Sequence, residues 1–157
     1  MPINKSKKLQ TLNDAMGLQT ALNNYYSEYE KLPEFGMGGD EAQTDGVVGS
    51  KLLTILLGKE EVSDDMQNKK QITFLNAKVN KNRAKGGLIY SNGGSATLPE
   101  GLYDAWGRPF RLKFDLDNDQ EIADPLEEGN IIRNKQVIVY SDGEDKKPQS
   151  EDDIKTW

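Results

Sequence analysis

The hydrophobic period of this chain changes along its length, and that change constrains the fold more than any other feature of the sequence. Apolar residues recur every three or four positions in residues 5–31, which predicts one long amphipathic helix. In Pro109–Leu116 they alternate with polar residues, which predicts a half-buried β-strand. A helix followed by a run of strands indicates the α+β class, with the long N-terminal helix packed on a small antiparallel β-sheet.

The predicted helix has an apolar face and a defined end. It contains weak helix formers, among them Gly17 and Asn23–Asn24, so we expect it to depend on packing. Leu32–Pro33 is predicted to end it, because the residue before a proline is pushed out of the α region. The predicted apolar face consists of Leu9, Leu12, Met16, Leu22, Tyr25, Tyr26 and Tyr29.

The middle of the chain carries fewer signals of regular structure. Residues 34–46 contain four glycines and no hydrophobic period, which predicts a loop. Val47–Leu57 predicts a second, short helix that Gly58 ends. The remaining predictions here are a charged loop over residues 59–71, a short strand or turn over Ile72–Val79, and an edge strand at Leu88–Tyr90.

The last third of the chain predicts several strands. Asp117–Asn118–Asp119 is a predicted turn, and Gln120–Ala123 is a candidate to pair back after it. Asn130–Arg133 and Gln136–Tyr140 predict further strands. A chain of 157 residues suits a single domain. Its expected parts are a helix over residues 1–33, a variable region over 34–101, and a sheet with an acidic C-terminal loop over 102–157.

The chain contains no cysteine and no histidine. This excludes disulfides, thiolate nucleophiles, Ser-His triads and ordinary zinc or copper sites, so any metal must be a hard ion held by oxygen. A net charge of −6 disfavours nucleic acid as a partner. The most apolar stretch, Val47–Leu57, is too short to span a bilayer. Gly86–Gly87 and Gly93–Gly94 are not phosphate loops, because no strand–glycine–helix order surrounds them.

Three segments follow one another in a recognisable order. They are the helix end ALNNYYSEYEKLP, the strand start LYDAWGRPFRLKF and the tail VYSDGEDKKPQSEDDIKTW. In that order, and with the spacing within the tail intact, they resemble the major pseudopilin of type II secretion systems, in the type IV pilin superfamily. The similarity covers about residues 15–33 and 102–157.

The resemblance implies a structural subunit rather than an enzyme. It implies a periplasmic or cell-surface fibre, with further copies of this chain and other pseudopilins as partners, whose growth pushes secreted proteins outward. The chain departs from the family pattern at Ala105, where a proline is usual, and lacks the initial hydrophobic helix that enters the inner membrane. We expect the sequence to start after that helix, with Met1–Pro2 not native. The alternative is a soluble relative that does not polymerise in the usual way.

The acidic tail carries the leading candidate for a metal site. Carboxylates crowded on a compact loop repel one another unless a cation neutralises them, and Ca²⁺ takes six to eight oxygen ligands. The resemblance implies calcium at the same place, whereas a plain charge run is usually a solvated tail. The ligands so implied are the carboxylates of Asp145, Asp152 and Asp153 and the carbonyls of Asp142, Lys147 and Ser150.

A second candidate metal site lies in the alternating acids Asp115, Asp117, Asp119 and Glu121. They resemble the start of an EF-hand loop. However, Gln120 and Leu126 stand where that loop has Gly and Glu. The alternative is a β-turn rich in Asp and Asn.

The aromatic residues and the N-terminal lysines can be explained by structural roles without a ligand. Trp106 and Trp157 are predicted to pack in the core, because aromatic side chains bury large areas. The tyrosines of the helix are predicted to form a helix–sheet interface. Lys5, Lys7 and Lys8 either contact lipid headgroups, if a membrane span precedes them, or are solvated.

Two other classes of function remain open. A carboxylate enzyme such as a glycosidase needs two carboxyl groups at a fixed separation in a cleft, and a chain of this size with a long helix has little room for one. The other is a pilin or calcium-dependent adhesion or ligand-binding module that is not engaged in secretion. Glycan binding that a chelator abolishes would favour it.

Overall fold

A computed structural model describes residues 2–35, 41–60, 62–80, 82, 85–90, 99–115, 117, 119–141 and 154–156, with side chains from Lys5 onward. A long N-terminal helix followed by antiparallel strands confirms the α+β prediction. The elements in chain order are α1 (Pro2–Tyr29), β1 (Glu41–Gln43), α2 (Gly46–Leu57), β2 (Gly87–Tyr90), β3 (Pro99–Tyr103), β4 (Arg111–Phe114), β5 (Glu121–Ala123), β6 (Ile131–Arg133), β7 (Val137–Ser141) and β8 (Ile154–Lys155).

Helix α1 has 28 residues, which makes it about 42 Å long at 1.5 Å per residue. It ends before the predicted stop at Leu32–Pro33, since Glu30 takes a left-handed backbone conformation with φ of 58°. Its buried face follows the helical period. That face includes Thr11, Ala15, Leu18, Leu22 and Tyr25.

The predicted apolar face of α1 is wrong in its N-terminal half. Leu9 and Met16 are 60% and 44% exposed, whereas Thr11 and Ala15 are fully buried. The small side chains of Thr11 and Ala15 permit close packing, and the Thr11 Oγ1 accepts a 3.1 Å hydrogen bond from the Ala105 N–H. This contact, made far along the chain, sets the rotation of the helix and turns Leu9 and Met16 towards solvent.

The central sheet has four antiparallel strands in the order β1-β4-β7-β8. In its middle pair, Leu112 lies opposite Val139 and Phe114 opposite Val137. Helix α1 packs on β7 and β8. The main core forms between helices and sheet and includes Leu18, Leu22, Leu52, Phe110, Leu112 and Val139.

Helix α2 confirms the predicted second helix and lies in the core. Leu52, Leu53, Ile55 and Leu56 are fully buried, which explains the continuous apolar run in the sequence. Gly58 ends the helix with φ of 72°, and its N–H donates to the Ile55 carbonyl.

Three predictions about the strands need correction. Residues 41–43 were predicted as loop but form β1, which pairs with β4. Residues 121–123 pair with β6 rather than back on the preceding strand. No strand forms over residues 72–79, where Val79 makes a single bridge to Leu88. Strand pairing depends on residues outside the local sequence pattern, so such a pattern does not identify which strands pair.

Two hairpins accompany the central sheet. Strand β2 confirms the predicted edge strand at Leu88–Tyr90, and it pairs with β3. Strands β5 and β6 pair on their own and bury Ile122 and Ile132 against Ile138. Of the helices in the described residues, none is both long and apolar enough to cross a membrane.

Candidate metal centre

The turn after β4 brings three aspartates together. Strand β4 ends at Phe114, and β5 begins at Glu121. Between them, the carboxylates of Asp115, Asp117 and Asp119 each place one oxygen within 4.8 Å of the other two. The structure therefore confirms that this part of the sequence gathers an acidic cluster that could hold a metal ion.

The three carboxylates accept hydrogen bonds from backbone N–H groups of the same segment. The two carboxylate oxygens of Asp115 accept from the N–H groups of Asp119, at 3.3 Å, and Gln120, at 2.9 Å. Asp117 and Asp119 each accept from the N–H two residues ahead, at 3.3 Å and 2.9 Å. Gln120 has a left-handed φ of 67°. The two bonds that span two residues have the pattern of Asx turns. The alternative prediction of a β-turn over Asp117–Asn118–Asp119 includes Asn118, which lies outside the described residues.

The carboxyl groups of the cluster influence one another's protonation. Burial acts to raise the pKa of Asp115, but hydrogen bonds from the Asp117 carboxyl and from the Gln120 and Asp119 amides outweigh it, and its pKa is lowered. The hydrogen bond to Asp115 raises the pKa of Asp117. The hydrogen bond between these two carboxyl groups therefore lowers the pKa of Asp115 and raises that of Asp117.

The donor set suits a hard divalent cation. Ca²⁺ binds oxygen at 2.3–2.6 Å, so oxygens around one ion lie up to about 5 Å apart, a range that includes the spacing in this cluster. Asp115 is buried at the base of the turn, and Asp117 and Asp119 are exposed. Three carboxylate ligands leave positions for waters, and an ion bound there would be open to solvent on one side.

The predicted calcium ligands of the tail lie outside the described residues. These are Asp142, Asp145, Lys147, Ser150, Asp152 and Asp153. The strands that flank them are described, and Ser141 pairs with Ile154 while Tyr140 pairs with Lys155. The two ends of the acidic segment are therefore adjacent on the central sheet, next to β7.

The aromatic side chains have structural contacts. Tyr25 and Tyr29, which with Tyr26 were predicted to form a helix–sheet interface, pack their rings against Phe74, with centroids 5.5 and 6.2 Å away. Tyr25 is fully buried in the main core, which includes residues of the central sheet. The Tyr29 hydroxyl donates to Asn68 Oδ1 at 2.5 Å. Trp106 is half-buried, and Trp157 lies outside the described residues.

The chain matches no protein-family model, no curated protein and no solved structure in comparisons with known proteins. The resemblance to pseudopilins therefore rests on the three sequence segments alone.

Proposed function

We propose that this chain is the globular part of a structural subunit in a periplasmic pseudopilus- or pilus-like fibre of a type II secretion-type system. Its partners would be further copies of the chain and other pseudopilins. In the full-length protein, a hydrophobic helix ahead of the present sequence would anchor the subunit in the inner membrane. We propose no catalytic role.

The observation that supports this proposal is the asymmetry of α1. None of the side chains of residues 5–10 is buried, and burial begins at Thr11. In this helix, about 42 Å long, contact with the hydrophobic core therefore starts only at Thr11, and Leu9 and Met16 are exposed on the helix. Such a helix is suited to carry a globular domain outward from a fibre core, and its exposed apolar side chains are suited to contact a neighbouring subunit.

We further propose that the cation of this protein is calcium and that it stabilises the subunit. The Asp115–Asp117–Asp119 cluster would supply three carboxylates, and the acidic tail is the second candidate site. Calcium supplies no chemistry in this role. It would neutralise the crowded carboxylates of the cluster and hold the segment between β4 and β5.

The fibre role is tested with the product of the complete gene in a bacterium that carries the secretion system. We expect shearing of the cells to release fibres that contain this chain and are visible by negative-stain electron microscopy. Leu9→Glu and Met16→Glu place a charge on the exposed side of α1 and should strongly reduce fibre yield without lowering the melting temperature. Val62→Glu adds the same charge at another exposed apolar site, off the helix, as a control.

Two results would contradict the fibre role. One is the absence of fibres from cells that make the wild-type chain in normal amounts. The other is equal loss of fibres in all three variants, which would show a general effect of charge. Binding to glycans that EGTA abolishes would instead favour the adhesion module.

A further inference from the structure

A cleft of about 600 Å³ lies between α1 and the segment that leads into β2. Its volume is within the range of small-molecule sites, roughly 300–1,000 Å³. It is away from the aspartate cluster, and none of its lining residues belongs to the proposed metal centre. The side of α1 contributes Lys7, Gln10 and Asp14, and the opposite side contributes Lys78, Asn80 and Lys85.

The cleft joins two basic segments of a chain that is acidic overall. Residues 5–8 contain three lysines and residues 78–85 contain four basic residues, with no acid in either segment, although the net charge of the chain is −6. Lys7 comes from the first segment, and Lys78 and Lys85 come from the second. The fold thus brings together like charges from opposite ends of a long stretch of sequence.

No carboxylate of the described residues forms an ion pair with these three amines; the ion pairs found there are Lys70–Glu28 and Arg133–Glu121. Asp14 also lines the cleft, and burial raises its pKa. Three lysines and one aspartate line the cleft, so its lining carries a net positive charge that attracts an anion.

Hydrogen bonds across the chain hold the walls of the cleft in place. Gln10 Nε2 donates to the Lys85 carbonyl at 3.0 Å, and the Leu88 N–H donates to the Lys78 carbonyl at 2.8 Å. Gly87 has a φ of 90°, and a Cβ there would lie 2.5 Å from the Lys78 carbonyl oxygen. The backbones approach so closely that only glycine fits, and the lysines therefore project from fixed positions.

We propose that this cleft binds the phosphate group of a small molecule or of a lipid headgroup. Lysine suits this role because its ammonium is a compact point charge with three donors. The amines would hold the phosphate, without a glycine-rich loop at a helix N-terminus. This inference does not depend on the fibre role.

The test is a titration of the ¹⁵N-labelled chain with inorganic phosphate at constant ionic strength, followed by backbone amide shifts. We expect saturable shifts at Lys78, Gly87 and Ala105. The double variant Lys78→Met/Lys85→Met should bind phosphate about tenfold more weakly. Lys51→Met/Lys69→Met removes two exposed lysines outside the cleft and should bind as wild type does. Asp14→Asn should bind about threefold more tightly, because it removes a carboxylate from the cleft.

A second arm separates the two sources of phosphate. Vesicles of phosphatidylglycerol are compared with vesicles of phosphatidylcholine in a flotation assay. Binding of free phosphate without vesicle binding identifies a soluble ligand. Binding to phosphatidylglycerol that is lost in Lys78→Met/Lys85→Met, with no shifts from free phosphate, identifies a headgroup. The proposal is overturned if neither binds, or if the control double variant loses binding to the same degree.

Discussion

Asp104 is a fully buried carboxyl that connects three parts of the chain. It lies directly after β3, and its Oδ1 accepts from the N–H groups of Trp106 at 2.9 Å and Arg108 at 3.0 Å. Its Oδ2 accepts from the hydroxyl of Ser141, at the end of β7, at 2.5 Å. Burial raises the pKa of Asp104, and these hydrogen bonds oppose that rise. The β3–β4 turn is thereby joined to the central sheet.

We expect Asp104→Ala to reduce the free energy of unfolding by about 2–4 kcal/mol, because it leaves these donors without an acceptor in the interior. Asp104→Asn keeps an oxygen for the two backbone N–H groups, and its amide can donate to the Ser141 hydroxyl. Its loss should be below about 1 kcal/mol. Urea denaturation measures both values. Equal losses in the two variants would show that hydrogen-bond acceptance is not what Asp104 supplies.

Asp14 predicts a dependence of stability on pH. Burial raises its pKa above the ordinary value for aspartate. The stabilisation from its protonated form is complete below that ordinary value, and it is lost as the pH rises through the folded-state pKa. Asp14→Asn should therefore raise the melting temperature near pH 7 by about 2 °C and leave it unchanged near pH 3. Asp64→Asn, at an exposed site, controls for the loss of one negative charge. If Asp14→Asn raises the melting temperature equally at both pH values, this explanation is wrong.

At the scale of elements, two glycines in helical context predict opposite effects of one substitution. Gly58 ends α2 with a positive φ, and a Cβ there would lie 2.9 Å from the carbonyl oxygens of Gln71 and Ile72. Gly17 lies within α1, and a Cβ there meets nothing within 4 Å. Gly58→Ala should cost about 1–3 kcal/mol, and Gly17→Ala should add about 0.5–1 kcal/mol. Thermal or urea unfolding of the two variants distinguishes helix-capping from helix-interior glycine. A loss of stability in Gly17→Ala would contradict the open space seen beside it.

Sequence patterns predicted those elements whose signature lies within a few neighbouring residues. The apolar run of α2, its Gly58 stop and the alternation in β4 were read correctly, because a core helix, a left-handed cap and a half-buried strand each leave a signature within a few residues. The rotation of α1 was not predicted, because the contact between Thr11 and Ala105 that sets it joins distant residues. Strand β1 was not predicted for the same reason, because its pairing with the distant β4 defines it.

The aspartate cluster was predictable in part. The alternation of Asp115, Asp117 and Asp119 indicated a candidate metal site or a β-turn, and the structure brings the three carboxylates together. The burial of Asp115 and its acceptance of two backbone N–H groups depend on how the turn leaves β4, so sequence spacing alone could not give them. The lysine cleft was not predicted at all, because its two walls come from segments about 70 residues apart.

At the scale of the whole molecule, the proposed calcium ion would couple the stability of the domain to its environment. An ion that binds only the folded state stabilises it by RT ln(1+[L]/Kd), about 2.7 kcal/mol at 100 times Kd. For a domain of this size that raises the melting temperature by about 5–10 °C. Melting in excess calcium and then in EGTA measures this difference.

Three variants show which of the two candidate sites binds the ion. Loss of the calcium effect in Asp117→Asn alone identifies the cluster after β4. If calcium no longer raises the melting temperature of Asp145→Ala and Asp152→Ala but still raises that of Asp117→Asn, the ion binds in the acidic tail. A wild-type chain that melts at one temperature in calcium and in EGTA would exclude calcium stabilisation, and the fibre role would then depend on the shearing experiment alone.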